Sequence, residues 1–108
     1  MAKILEADEN MLRFDNGTVI YCDHNQDCCE HNYADFTQLD DIARSRDFDT
    51  DNLEIEILES QGFRFGNKPF NMHFVPCYSE QNGYYTTKLD ITINGRMVGT
   101  LECEERFR

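Results

Sequence analysis

The chain has no tryptophan, only two prolines, and only 10 Lys plus Arg against 21 Asp plus Glu in 108 residues. The shortage of cations weighs against direct nucleic-acid binding, which runs on Lys and Arg neutralising phosphates, because a net charge of −11 repels a phosphate backbone. No apolar run approaches the roughly 20 residues of a membrane span, and Met1-Ala2-Lys3-Ile4-Leu5-Glu6 carries no stretch of signal-peptide length. A cytoplasmic protein with no membrane partner is expected. In that compartment the odd set Cys22, Cys28, Cys29, Cys77 and Cys103 reads as reduced thiols and not as a disulfide framework. Without export, Asn16-Gly17-Thr18 reads as a turn and not as a glycosylation acceptor.

What is present suffices for one core: hydrophobic residues make up 40%, with eight Phe and five Tyr. One domain over residues 1–108 is expected. The acids are unevenly spread, with 16 of them beside 4 bases in residues 1–60 and 5 beside 6 bases in residues 61–108. The first half therefore reads as one negative surface.

Three Asn-Gly pairs, Asn16-Gly17, Asn82-Gly83 and Asn94-Gly95, stand between runs rich in β-formers and predict tight hairpins. A two-residue loop at Asn16-Gly17 sets Phe14 opposite Val19 and Leu12 opposite Tyr21. The same loop at Asn94-Gly95 pairs Ile91 with Val98 and Leu89 with Thr100, and at Asn82-Gly83 it pairs Phe74 with Ile91 and Met72 with Ile93. These registers agree on a three-stranded meander, roughly 70–80, 84–93 and 96–104, burying Met72, Phe74, Tyr78, Leu89, Ile91, Ile93 and Val98. Phe36, Leu39, Ile42 and Ala43 recur at helical spacing and predict one short helix capped by Asp35. Leu53-Glu54-Ile55-Glu56-Ile57 alternates as a half-buried strand does. The fold expected is α+β: a curved antiparallel sheet of about five to six strands with one short helix packed on it.

The segment Cys22-Asp23-His24-Asn25-Gln26-Asp27-Cys28-Cys29-Glu30-His31 concentrates unusual residues. Its ligand types suit zinc, with Cys22, His24, Cys28 or Cys29, and His31 as a tetrahedral set, although four ligands within ten residues is not the usual paired spacing. The plainer reading makes Cys28 and Cys29 small buried hydrophobes while Asp27 and Glu30 brace a turn. A catalytic thiol would need His24, His31 or His73 to lower its pKa, and the adjacent carboxylates oppose that. No cofactor is expected, zinc being the one metal the residues would suit. Asp40, Asp41, Asp47, Asp49 and Asp51 lack the spacing of a calcium loop and read as a solvated face. Tyr84, just after Asn82-Gly83, faces outward as a contact or a packing partner.

His24-Asn25-Gln26-Asp27-Cys28-Cys29-Glu30 together with Asn82-Gly83-Tyr84-Tyr85-Thr86 resembles a family of small phage and bacterial proteins of unknown function. Members share His-x-Gln-Asp-Cys-Cys-Glu after a hairpin, a Leu-Asp-Asp element matched here by Gln38-Leu39-Asp40-Asp41, and a late Asn-Gly-Tyr-Tyr-Ser, where this chain has Thr86. The resemblance covers most of residues 10–93; Cys22 and His31 stand outside its motif, which weakens the four-ligand site. It implies which segments matter and no activity. The expected function is a non-enzymatic binding or accessory protein whose acidic surface and His24–Glu30 turn engage a basic protein, with His24, Gln26, Asp27, Cys28, Cys29, Glu30 and Tyr84 as binding residues. A metal-dependent or thiol-based enzyme centred on Cys28, Cys29 and His24 is the alternative, and a DNA mimic that captures a nucleic-acid-binding protein is the third reading.

Overall fold

The computed structural model describes residues 1–23, 31–81 and 88–107. In chain order its strands are β1 (Ile4–Ala7), β2 (Met11–Phe14), β3 (Val19–Asp23), β4 (His31–Ala34), β5 (Glu54–Leu58), β6 (Gly62–Asn67), β7 (Asn71–Gln81), β8 (Lys88–Ile93), β9 (Arg96–Glu102) and β10 (Glu104–Phe107). They form two sheets where a single curved one was expected. One runs β1-β2-β3-β8-β9; the other runs β10-β7-β6-β5, with β4 also paired to β7. Helix among the described residues is limited to α1 (Asp41–Ser45) and two 3₁₀ turns, Phe36–Gln38 and Thr50–Asn52. Antiparallel strand therefore dominates, and the helical share of an α+β fold is small.

Turn chemistry puts two of the three predicted hairpins in place, at Asn16-Gly17 and Asn94-Gly95, but their registers differ; Asn82-Gly83 lies outside the described residues, and the strands on either side of it do not pair with each other. At the first, Gly17 N donates to Phe14 O (3.0 Å) and Phe14 N to Thr18 O (2.9 Å), which makes a three-residue loop with Gly17 at φ 91°. A left-handed glycine supplies the bulge that this loop requires. Leu12 consequently pairs with Ile20, not Tyr21. Leu12, Phe14, Ile20 and Cys22 are buried while Tyr21 is exposed.

The second hairpin does turn at Asn94-Gly95, with Ile93 opposite Arg96. A register shift between Ile91 and Thr92 then pairs Ile91 with Gly99 and Leu89 with Leu101. Val98 is left as the extra residue and is partly exposed, while Leu101 takes the buried place. The expected meander is corrected in its first strand: β8 pairs with β3 and β9, whereas β7 pairs with β6, β4 and β10. Residues 82–87, outside the described residues, link one sheet to the other. On β7 it is Val75 and Cys77 that enter the core, and Phe74 is exposed.

The predicted helix is split. Asp35 Oδ1 accepts from Thr37 N (3.1 Å) and starts only the 3₁₀ turn, after which Asp40 Oδ1 accepts from Ala43 N (2.8 Å) and caps α1. Leu39 between them is extended, at φ −61° and ψ 135°. Two Asx caps five residues apart compete with a continuous helix, since each offers the backbone a local non-helical partner. Ile42 is exposed, and Ala43 is the buried residue of α1.

The sheets pack through a phenylalanine core. Phe14 on β2 lies 5.4 Å from Phe48 and 6.5 Å from Phe65 on β6, and Phe36 lies 5.9 Å from Phe63. All five rings are fully buried. Edge contacts of this kind add to the area term and fix relative orientation. At Cys103, between β9 and β10, the chain passes from the first sheet to the second, where β10 lies parallel to β7.

Candidate functional site

His24, Gln26, Asp27, Cys28, Cys29, Glu30 and Tyr84 lie outside the described residues; the ground from which their segments leave is described. Residues 24–30 connect β3 in one sheet to β4 in the other, and residues 82–87 connect β7 back to β8. Asp23 is opposite Asp90, and His31 is opposite Glu80. The Asn32 side-chain amide donates to Lys88 O (3.1 Å), tying together the strands that follow the two segments. Topology thus brings the described residues that flank the two stretches to one end of the molecule. Asn10, left-handed at φ 69°, braces that end: its carbonyl accepts from Cys22 N (2.9 Å), and its side chain accepts from Ala34 N (2.8 Å).

Beneath this end lies a buried polar and thiol cluster. Asn32 and Ser79 are fully buried, and the Ser79 hydroxyl donates to Asn32 Oδ1. Tyr33 OH donates to Glu80 Oε1 (3.0 Å), with its ring 5.6 Å from that of Tyr78. The parallel register that sets Glu104 opposite Tyr78 brings Cys103 beside Cys77, whose thiol donates to Val75 O (3.9 Å). Cys103 also acts on Cys22, whose ionisation is held far above the ordinary thiol range by burial and then by that neighbour. Cys77 is likewise pushed up, by its neighbour Cys103 first and burial second.

A thiol held protonated in apolar surroundings is a poor nucleophile. Cys22, a candidate zinc ligand by sequence, is fully buried among the core residues; the candidates His24 and Cys28 lie outside the described residues. Among the described residues no group of three or more His, Cys, Asp or Glu is placed to hold a metal ion. Sequence reasoning did not group Cys22, Cys77 and Cys103, because only the passage of β9 into β10 brings the third to the other two.

His73 sits at the opposite end of β7, opposite Phe65, about seven residues or roughly 23 Å along the strand from Glu80. Its Nε2 lies 2.8 Å from Asn71 Oδ1, and its ring packs 5.6 Å from Phe48. Burial lowers its pKa; Asp40 partly offsets this and Arg46 adds to it. Its surroundings are those of a half-buried packing histidine.

The acids form the surface. Asp35, Asp40 and Asp49 each turn a carboxylate oxygen to a backbone N–H of the following turn, and Asp51 and Glu54 are exposed. The loop before β5 is pinned to the β6–β7 turn through Asn67, whose side chain bonds Asp49 O (3.0 Å) and Asn52 O (3.1 Å), and through Asn71 to Asp47 O (2.9 Å). Lys3 pairs with Asp47 (2.8 Å), Arg13 with Glu6, and Arg64 and Lys68 with Glu56. The Lys3 hydrogen bond holds Asp47 below the usual carboxylate range, as the Arg64 hydrogen bond does for Glu56. Lys3, Arg13, Arg64 and Lys68 are thus engaged by carboxylates while the acidic excess stays at the surface.

No family model, curated protein or solved structure matches this chain, so the resemblance rests on its two motifs alone. No helix among the described residues is long and apolar enough to cross a membrane.

Proposed function

We propose that the protein is a small non-enzymatic binding module whose acidic surface captures a basic partner protein, with the His24–Glu30 turn as a second contact. The observation that carries this reading is the division of chemistry in the fold. The thiols of Cys22, Cys77 and Cys103 are sealed in the core, whereas the carboxylates stand outside and four of the ten cations, Lys3, Arg13, Lys68 and Arg64, are already held by acids. A surface of one sign speeds encounter with the opposite sign and selects against like-charged partners. Mixing with a small basic protein such as cytochrome c and following co-elution by gel filtration tests it. Co-elution at low salt that disappears at high salt is expected; separate elution at every salt concentration refutes the reading.

A further inference from the structure

β7 is apolar on both faces. Val75 and Cys77 point into the core, while Met72 and Phe74 take the outward register, with Phe70 at the β6–β7 turn before them. Phe70 is 90% exposed and Phe74 42%. Single exposed apolar residues are ordinary on a protein surface, but an outward spine of three, two of them Phe, marks a contact face.

Register shows what borders this spine. One row across the sheet reads Glu54, Gly66, Met72, and the next reads Glu56, Arg64, Phe74. Gly66 contributes no side chain, and Arg64 is drawn to Glu56 together with Lys68, so Glu54 is the carboxylate left beside the spine on that flank. On the other flank Phe74 borders a cavity of about 240 Å³ whose remaining walls are Gln38, Leu39, Asp40, Ala43 and His73. The spine therefore runs between Glu54 and Asp40, within a chain of net charge −11.

We propose that the outward face of β5, β6 and β7 docks a basic amphipathic segment of the partner, whose apolar side chains cover Phe70, Met72 and Phe74 while its Lys or Arg side chains reach Glu54 and Asp40. This rests on the reading that the acidic surface captures a basic protein, and adds where and by what chemistry. A second copy is disfavoured as the occupant because it would bring the same carboxylates against their equals at −11 per chain.

The test uses a short peptide alternating Lys and Leu with one Trp, beside an oligolysine of equal length carrying the same Trp. Because the protein has no tryptophan, the emission reports the peptide alone. The amphipathic peptide is expected to bind about tenfold tighter than the oligolysine, with a blue-shifted emission. Phe70→Ala should remove most of that advantage and leave oligolysine binding unchanged, and Phe74→Ala should do the same in part. Since Phe70 is almost fully exposed, its variant keeps the fold. Equal affinity for the two peptides, or an advantage that survives both substitutions, overturns the docking face and leaves acidic capture standing. Failure of both peptides to bind at low salt overturns both. A concentration-dependent dimer abolished by Phe70→Ala would also overturn it, by making a second copy the occupant.

Discussion

Phe65 and Phe70 are five residues apart and chemically identical, yet they differ completely in what their loss should cost. Phe65 is fully buried, and its ring meets Phe48 at 5.6 Å, His73 at 6.2 Å, and Phe14 and Phe36 at 6.5 Å each. Those neighbours come from both sheets and from the 3₁₀ turn, so they cannot collapse into the space a missing ring leaves. Phe65→Ala should therefore fall in the upper part of the range for such truncations, about 4 kcal/mol. With a urea slope near 2 kcal/mol/M, the midpoint drops by about 2 M. Phe70→Ala, at a ring 90% exposed, should move the midpoint by less than about 0.25 M, the equivalent of 0.5 kcal/mol. Equilibrium urea unfolding followed by far-UV circular dichroism measures both. A loss under about 1.5 kcal/mol for Phe65→Ala would refute the two-sheet core; a comparable loss for Phe70→Ala would refute the exposed spine.

Gly66→Ala should destabilise by more than about 2 kcal/mol in the same assay, because a Cβ there would lie 2.0 Å from Asn71 O and force β6 away from β7. Gly17→Ala, with nothing within 4 Å of the added carbon, should cost only the left-handed strain of about 1 kcal/mol. Cys22, Cys77 and Cys103 should resist alkylation at pH 8 until the protein unfolds, since all three are buried away from the reagent; peptide mapping that finds any of the three modified in the native state contradicts this. His73 has a folded pKa below its unfolded value of 6.5, so the unfolded chain binds more protons and stability falls as pH drops from above 6.5 through the folded pKa. His73→Gln should therefore lose less stability than the parent between about pH 7.5 and 5.5; an equal loss in the two proteins would remove His73 as the cause.

Which parts of this molecule were legible in the sequence follows from how local each determinant is. Asn94-Gly95 and Asn16-Gly17 specify turns through their own backbone preferences, and both turns form. The alternation in Leu53–Ile57 likewise reappears as β5. Registers beyond the turns were not legible, because one bulge at Val98 or one extra loop residue before Thr18 exchanges the partners without changing the composition. The two faces of β7 could not be ranked: Met72-Phe74 and Val75-Cys77 are both apolar, and only pairing with β6 and β4 decides which set enters the core; Tyr78 is buried, as its apolar face predicts. The thiol cluster depends on a chain crossing at Cys103 that has no local signature. Of the candidate site, the fold contributes the convergence of its anchors at Asn32, Glu80, Lys88 and Asp90; the residues of the His24–Glu30 and Tyr84 segments themselves lie outside the described residues.

Acidic capture predicts a specific salt law. Isothermal titration of the protein with a basic probe such as oligolysine, repeated over a series of salt concentrations, measures it most directly. Affinity should be strongest at low salt and fall steeply and continuously as ionic strength rises, as expected for exposed carboxylates meeting exposed ammonium groups. An affinity indifferent to salt, or no heat at the lowest salt, would contradict the account.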